Sequence, residues 1–238
     1  MPQEPCIAGA SSFVAARAFE DIRTIADLRL VEMAPAAPGE EPAATGFALA
    51  WARAAAPGRL IFWAAPERTL AEHGAPCAEG LAEFGLDLGA SLIARTKTQI
   101  DALWAAEQAL TIAGAFVLCT VAPSPKALDL TATRRLFLAA RKHKSRCALI
   151  RLDAARASAA QLRFEISSTP GESSAYGLAP PAFDVRLARN RAGPAGQGWR
   201  LQWCAHEYAF RTIAPSVDGG ISAVSANRPV EAILARAG

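Results

Sequence analysis

Carboxylates, basic side chains, thiols and imidazoles are the groups that could do chemistry in this 238-residue chain. The stretch between Met33 and Phe47 has the most specific pattern. There a short apolar run, LRLVEM, leads into a loop, PAAPGEEPAATG at 35–46, and then into a helix-forming run, GFALAWARA. Strand, Gly-containing loop and helix in that order are the layout that binds phosphate in P-loop ATPases. Phosphate binding needs consecutive backbone N–H groups around the anion, a Lys for the outer phosphates, and a Ser or Thr hydroxyl for magnesium. This loop has no Lys, its only charges are Glu40 and Glu41, and Pro35, Pro38 and Pro42 each remove an N–H donor. The magnesium-holding Asp is missing as well, since AFVLCTV at 115–121 runs through Cys119 and Thr120 and no carboxylate follows until Asp129. The expectation is a domain without ATP hydrolysis, without a catalytic residue and without cofactor or metal.

Other constellations are weaker. Cys204 and His206 project to one side of a strand, and His73 and Cys77 stand four residues apart, but these spacings match no standard structural zinc site. His73, His143 and His206 lie near no G-x-S-x-G elbow, so surface histidines explain them better than a Ser/His/Asp triad. Arg163, Arg186, Arg189, Arg191 and Arg200 fall on strands near the C-terminal end and are candidates for a basic, nucleic-acid-binding sheet face, with Glu165 and Asp184 as ordinary cross-strand partners in the structural reading. The run Arg134, Arg135, Arg141, Lys142, His143, Lys144 and Arg146 reads as the solvated face and C-terminal charge complement of a helix, with phosphate contact as the alternative.

The elements that must position these groups follow from periodicity. RLIFWAA at 59–65, SLIA at 91–94, AFVLCTV and CALIRL at 147–152 are apolar on successive residues, as suits parallel strands covered on both faces. Segment 98–113 places Ile100, Leu103, Trp104 and Leu110 on one helical stripe, with Gly114 as a stop, so Trp104 is expected in the core. Segment 129–145 starts at Asp129, an N-cap, and Phe137 falls on its apolar face. After Gln161 the period becomes two: Leu162, Phe164 and Ile166, then Phe183, Val185 and Leu187, then Trp199, Leu201 and Trp203 alternate with polar residues, as in half-exposed antiparallel strands. SSTPGESSAYGLAPP at 167–181 is read as a second loop.

Composition bounds the class. A chain with 52% hydrophobic residues can bury a sizeable core, which excludes wholesale disorder, and a net charge of +3 is too small to imply nucleic-acid binding by itself. Cys6, Cys77, Cys119, Cys147 and Cys204 are scattered, two of them inside apolar runs, as expected of reduced thiols. MPQEPCIAGASS is not a basic region followed by an apolar run, and no apolar stretch reaches the ~18 residues that span a bilayer. The expected setting is cytoplasmic.

Several pieces together carry a resemblance: LRLVEM with its degraded loop, ATGFALAWARA, RLIFWAAPER, GLAEFGLD, DALWAAEQAL at 101–110, LDLTATRRLFLAARK from 128, and WRLQW. Over roughly residues 28–210 they resemble the ImuA family of inducible mutagenesis proteins, RecA-like proteins of bacterial SOS mutagenesis. The resemblance implies a RecA-like α/β core of mostly parallel strands flanked by helices, ending in an antiparallel β meander. It implies a DNA-damage-induced protein that works in translesion synthesis with ImuB, an inactive relative of the Y-family polymerases, and an error-prone replicative-type polymerase. Together with the missing loop residues it gives the expectation of a non-enzymatic accessory, with RecA and DNA as further candidate partners. Against RecA, Glu67 lies near the ATPase carboxylate, and 167–190 resembles the DNA-binding loop and the strand after it.

The expected organisation is an N-terminal, partly helical segment at 1–27, the RecA-like domain at 28–212 and a flexible tail at 213–238. In the tail, Arg228, Pro229, Val230, Ile233 and Leu234 belong to a short amphipathic segment that is the candidate partner-binding element, with a helix docked on its own domain as the alternative. Two other readings stand beside this one. A SulA-like inhibitor binding the division GTPase FtsZ also resembles RecA without a P-loop, although the chain length and LDLTATRRL lean against it. An active ATPase with an aberrant loop would have to supply phosphate positioning and charge neutralisation without the usual residues.

Overall fold

The computed structural model describes residues 28–122, 129–152, 157–172 and 179–213. Its centre is one sheet with strand order β3-β2-β4-β5-β1-β6-β7-β8-β9. The strands are β1 Leu30–Pro35, β2 Ile61–Pro66, β3 Ser91–Thr96, β4 Phe116–Val121, β5 Arg146–Arg151, β6 Leu162–Thr169, β7 Ala182–Asn190, β8 Gly198–Cys204 and β9 Ala209–Thr212. Every pairing from β3 across to β6 is parallel, and β6 to β9 pair antiparallel. The fold is thus a mixed α/β one, mostly parallel, with an antiparallel meander at its end. All six residues of β4 are buried, as its unbroken apolar run requires.

One face of the sheet is covered by α1 (Glu41–Ala55), with α2 (Glu67–His73) and α3 (Ala78–Glu83) beside it. Phe47 and Trp51 of α1 pack into an aromatic group with Phe164 of β6, and Phe47 also meets Phe183 and Phe210. The other face carries α4 (Gln99–Ala109) and α5 (Leu130–His143). Thr98 and Asp101 form a capping box at the start of α4, and the Asp129 carboxylate accepts from Ala132 N at 2.7 Å at the start of α5. Among the described residues no helix is long and apolar enough to cross a membrane.

Two expectations need correcting. The loop read at 35–46 ends at Glu40, because α1 already begins at Glu41. Proline is tolerated in the first helical turn, where its missing N–H has no intrahelical partner anyway, so Pro42 opens the helix instead of blocking it. Gly46 serves close packing inside α1: a Cβ there would stand 3.2 Å from Phe84 Cζ. The second correction concerns α4, where Ile100 is 68% and Trp104 61% exposed. Its buried stripe is Ala102, Leu103, Ala106, Ala109 and Leu110. Small side chains let the helix lie close on the sheet, and the turn this demands points the bulkier Ile100 and Trp104 outward. Phe137 is half-buried against the same layer.

The meander follows its period. Leu162, Phe164 and Ile166, then Phe183, Val185 and Leu187, then Trp199, Leu201 and Trp203, are all buried on the α1 side.

Candidate functional site at the degenerate loop

In open α/β sheets ligands gather at the C-terminal ends of the parallel strands, so the loop after β1 is where a phosphate site would form. That loop is short and tied to itself and to β6. Ala36 N donates to Ile166 O at 2.7 Å, and Glu40 N donates to Ala37 O at 3.2 Å. The Glu40 carboxylate accepts from both Ser168 N, at 2.7 Å, and Ser168 Oγ, at 2.9 Å. A negative charge therefore stands just before the N-terminus of α1, on the spot where an incoming phosphate would meet the helix.

The neighbouring strand ends are closed in a similar way. At the end of β4 the Trp63 indole N–H donates to Thr120 Oγ1 at 2.9 Å in a buried contact. Gln99, the first residue of α4, donates from Nε2 to Thr120 O at 3.3 Å and accepts from Ala122 N at 2.9 Å. Glu67 is exposed at the start of α2.

Two cavities flank this loop. One of about 320 Å³ lies between α1, the α2–α3 connection and β7, lined by Leu49, Trp63, Leu81, Phe84 and Phe183, with His73 and Cys77 at its rim. The other, about 480 Å³, is bounded by Glu40, Ser168, Gly171, Pro180 and Pro181. The apolar walls of the first take up apolar groups by burial. Cys77 Sγ accepts from Gly80 N at 3.4 Å as the N-cap of α3.

The thiols inside the sheet are inert: burial pushes Cys119 up to about 12 and Cys147 well above the ordinary thiol range. Cys204 is buried in β8, whereas His206 lies exposed in the following turn with Glu207 at 3.4 Å. Among the described residues no group of three or more His, Cys, Asp and Glu could hold a metal ion.

The arginines nominated for nucleic acid fall into two sets. Arg163 donates to Glu32 Oε2 at 2.7 Å, while Arg151 reaches Glu32 Oε1 at 3.2 Å from the other neighbouring strand. Arg189 lies 3.9 Å from the same carboxylate and donates to Ser158 Oγ at 2.7 Å and Ala160 O at 2.9 Å. Burial first, then repulsion from Arg163, pulls the Arg189 guanidinium below its ordinary range. Arg191 donates to Ser158 O at 2.6 Å. Arg163, Arg189 and Arg191 thus come together around Glu32 and residues 158–160, whereas Arg186 stands apart, paired with Glu165. Arg200 is paired with Asp184 at 2.9 Å. Sequence reasoning missed Glu32, although a carboxylate inside the apolar run LRLVEM was its signal.

On α5, Arg134, Arg141 and Lys142 are exposed and Arg135 pairs with Glu107 of α4 at 2.6 Å. The candidate partner-binding residues Arg228, Pro229, Val230, Ile233 and Leu234 lie outside the described residues.

The chain matches no protein-family model. No curated protein matches it. Among solved structures it is similar to SulA from Pseudomonas aeruginosa, at 19% identity over 52% of this chain and 98% of that one, with a TM-score of 0.40. It is also similar to a RadB recombinase, at 13% identity over 75% of this chain and 88% of that one, with a TM-score of 0.49.

Proposed function

We propose that this protein is a non-enzymatic accessory factor of SOS-induced translesion synthesis, a RecA-like scaffold that binds an ImuB-like partner through surfaces outside a degenerate nucleotide loop. The single observation that carries the non-enzymatic part is the tie from Glu40 to Ser168, which puts a carboxylate where phosphate oxygens would need N–H donors and a Lys. Phosphoryl transfer depends almost wholly on positioning and charge neutralisation, and a carboxylate at that place opposes both. The mutagenesis role rests on the sequence resemblance to the ImuA family, above all DALWAAEQAL and LDLTATRRL. These two segments make up most of α4 and the first half of α5.

The test is co-sedimentation of the full chain with an ImuB-like protein at micromolar concentration, with RecA and single-stranded DNA as separate arms. A complex with the ImuB-like protein is expected, and its absence overturns the proposal. Deleting residues from Pro215 onward asks whether Arg228, Pro229, Val230, Ile233 and Leu234 carry that contact. Saturable ATP hydrolysis that disappears on Glu67→Gln would overturn the non-enzymatic part. Filamentation of cells on overexpression would speak for an FtsZ-binding role instead.

A further inference from the structure

Large apolar side chains at the surface are not spread evenly. Ile100 and Trp104 of α4, Ile112 just beyond it, and Leu130 and Leu138 of α5 are 68, 61, 47, 51 and 47% exposed. They belong to the one helical layer that holds α4 and α5 side by side. Scattered exposed leucines need no explanation, but a tryptophan more than half exposed beside an aliphatic groove marks a contact surface. Between the two helices runs a groove of about 180 Å³, lined by Ile100, Leu103 and Trp104 on one side and Ala132, Arg135 and Leu136 on the other. That volume is below the usual range of small-molecule pockets and suits side chains delivered by a docked segment.

Charge selects the occupant. The sequence of α5, LTATRRLFLAARKH, contains no carboxylate, and Arg134, Arg135, Arg141 and Lys142 are exposed around Leu138. On α4 the carboxylates are already engaged: Glu107 with Arg135 across the groove, and Asp101 with Thr98 in the capping box. A second copy of this chain would bring its own cations against these, which is repulsive. Trp104 is the one stacking plane this groove offers a nucleic acid, and the walls around it, Ile100, Leu103 and Leu136, are aliphatic, which fits helix-in-groove recognition, in which apolar anchors at i, i+3, i+4 and i+7 enter a cleft.

We infer that the α4–α5 groove docks an acidic amphipathic helix of a partner protein, with its apolar side chains against Trp104, Ile100 and Leu136 and its carboxylates facing Arg134, Arg141 and Lys142. This rests on the reading that the protein works by binding partners, and names a surface for it. Trp104 is the anchor, since an exposed tryptophan gains most from burial and dominates many interfaces.

The molecule carries its own probe. Trp51, Trp63, Trp199 and Trp203 are at most 5% exposed, so the acrylamide-quenchable fluorescence belongs to Trp104. The full chain is titrated with a synthetic peptide of about 15 residues, long enough to form a helix, with Leu on one face and Glu on the other. A second peptide carries Lys in place of Glu, and a third arm is a thymidine oligonucleotide. The Glu peptide is expected to shield Trp104 from acrylamide, and the Lys peptide to bind about tenfold or more weakly. Labelled-peptide anisotropy then reads Trp104→Ser, which keeps the far-UV circular dichroism of the parent and loses about tenfold or more in affinity. Arg141→Glu combined with Lys142→Glu shifts the preference toward the Lys peptide.

Equal binding of both peptides, shielding by the oligonucleotide but not by the Glu peptide, or a sedimentation coefficient that falls on Trp104→Ser would each overturn the inference. Peptide binding without any complex with the ImuB-like protein supports the groove and overturns the accessory role. An ImuB-like complex that Trp104→Ser leaves intact, with no peptide binding, overturns the groove and keeps that role.

Discussion

Two groups of arginine–carboxylate pairs stand on the same face of the sheet and differ mainly in what covers them. Around Glu32 the side chains are withdrawn from water: Glu32 is 0% exposed, Arg151 2% and Arg163 10%. Further along β6 and β7 and on β8 the cross-strand pairs face solvent, with Arg186 59% and Asp184 42% exposed. The chemistry of the two groups is the same, yet the energetics are not. A buried charge costs several kcal/mol to desolvate and must be neutralised where it lies, whereas a solvated pair gains little and loses little. The arginines of the terminal strands are therefore not one basic surface: Arg163 and Arg189 belong to the Glu32 cluster, and Arg186 and Arg200 are paired with carboxylates of the adjacent strands.

The sharpest way to break this contrast is Glu32→Gln, which keeps the shape and removes the buried charge that Arg151 and Arg163 share. Urea unfolding should show a loss of about 3–5 kcal/mol. Replacing Glu32, Arg151 and Arg163 together by apolar residues of similar volume should cost less than that single change, because the two most buried cations leave together with the carboxylate. A loss below about 1 kcal/mol for Glu32→Gln would mean that the cluster is solvated after all.

A neutral buried bond supplies the middle of the scale. Thr120→Val removes the acceptor of the Trp63 indole N–H while keeping the volume, and it leaves that donor unsatisfied in the core. The expected cost is about 1–3 kcal/mol in the same assay. At the loop, Glu40→Ala frees Ser168 N, and amide exchange at Ser168 should accelerate while amides within β1 stay protected. Unchanged exchange at Ser168 would remove the tie on which the closed loop depends.

Much of the architecture was legible because burial writes period into sequence. The unbroken run FVLCTV announced a strand covered on both sides, and the alternation Trp199, Leu201, Trp203 announced a half-exposed one. The Asp129 cap was legible because capping needs one side chain at one position. Trp104 was not, because hydrophobicity tells what a residue prefers and not where a helix of alanines will turn when packed closely on a sheet. The start of α1 was missed for a related reason: proline's meaning depends on its position in the turn, which Pro42 alone does not state. At the candidate site, the missing Lys and Asp could be read directly, but the Glu40–Ser168 tie joins residues 128 positions apart and no local pattern encodes it.

The smallest expected effect tests the other end of the comparison. Arg200 and Asp184 sit opposite each other on β8 and β7, with two hydrogen bonds at 2.9 and 3.1 Å. The geometry is bidentate, which favours the pair, but the carboxylate is 42% exposed and water competes for it. A double-mutant cycle with Arg200→Ala and Asp184→Ala should give a coupling of about 0.2–1 kcal/mol near 0.1 M salt. The same cycle in 1 M salt should give less, because the screening length shrinks to about 3 Å. A coupling above about 2 kcal/mol that salt leaves unchanged would place this pair in the same class as Glu32 and its arginines, and the open face of the meander would have to be covered in solution.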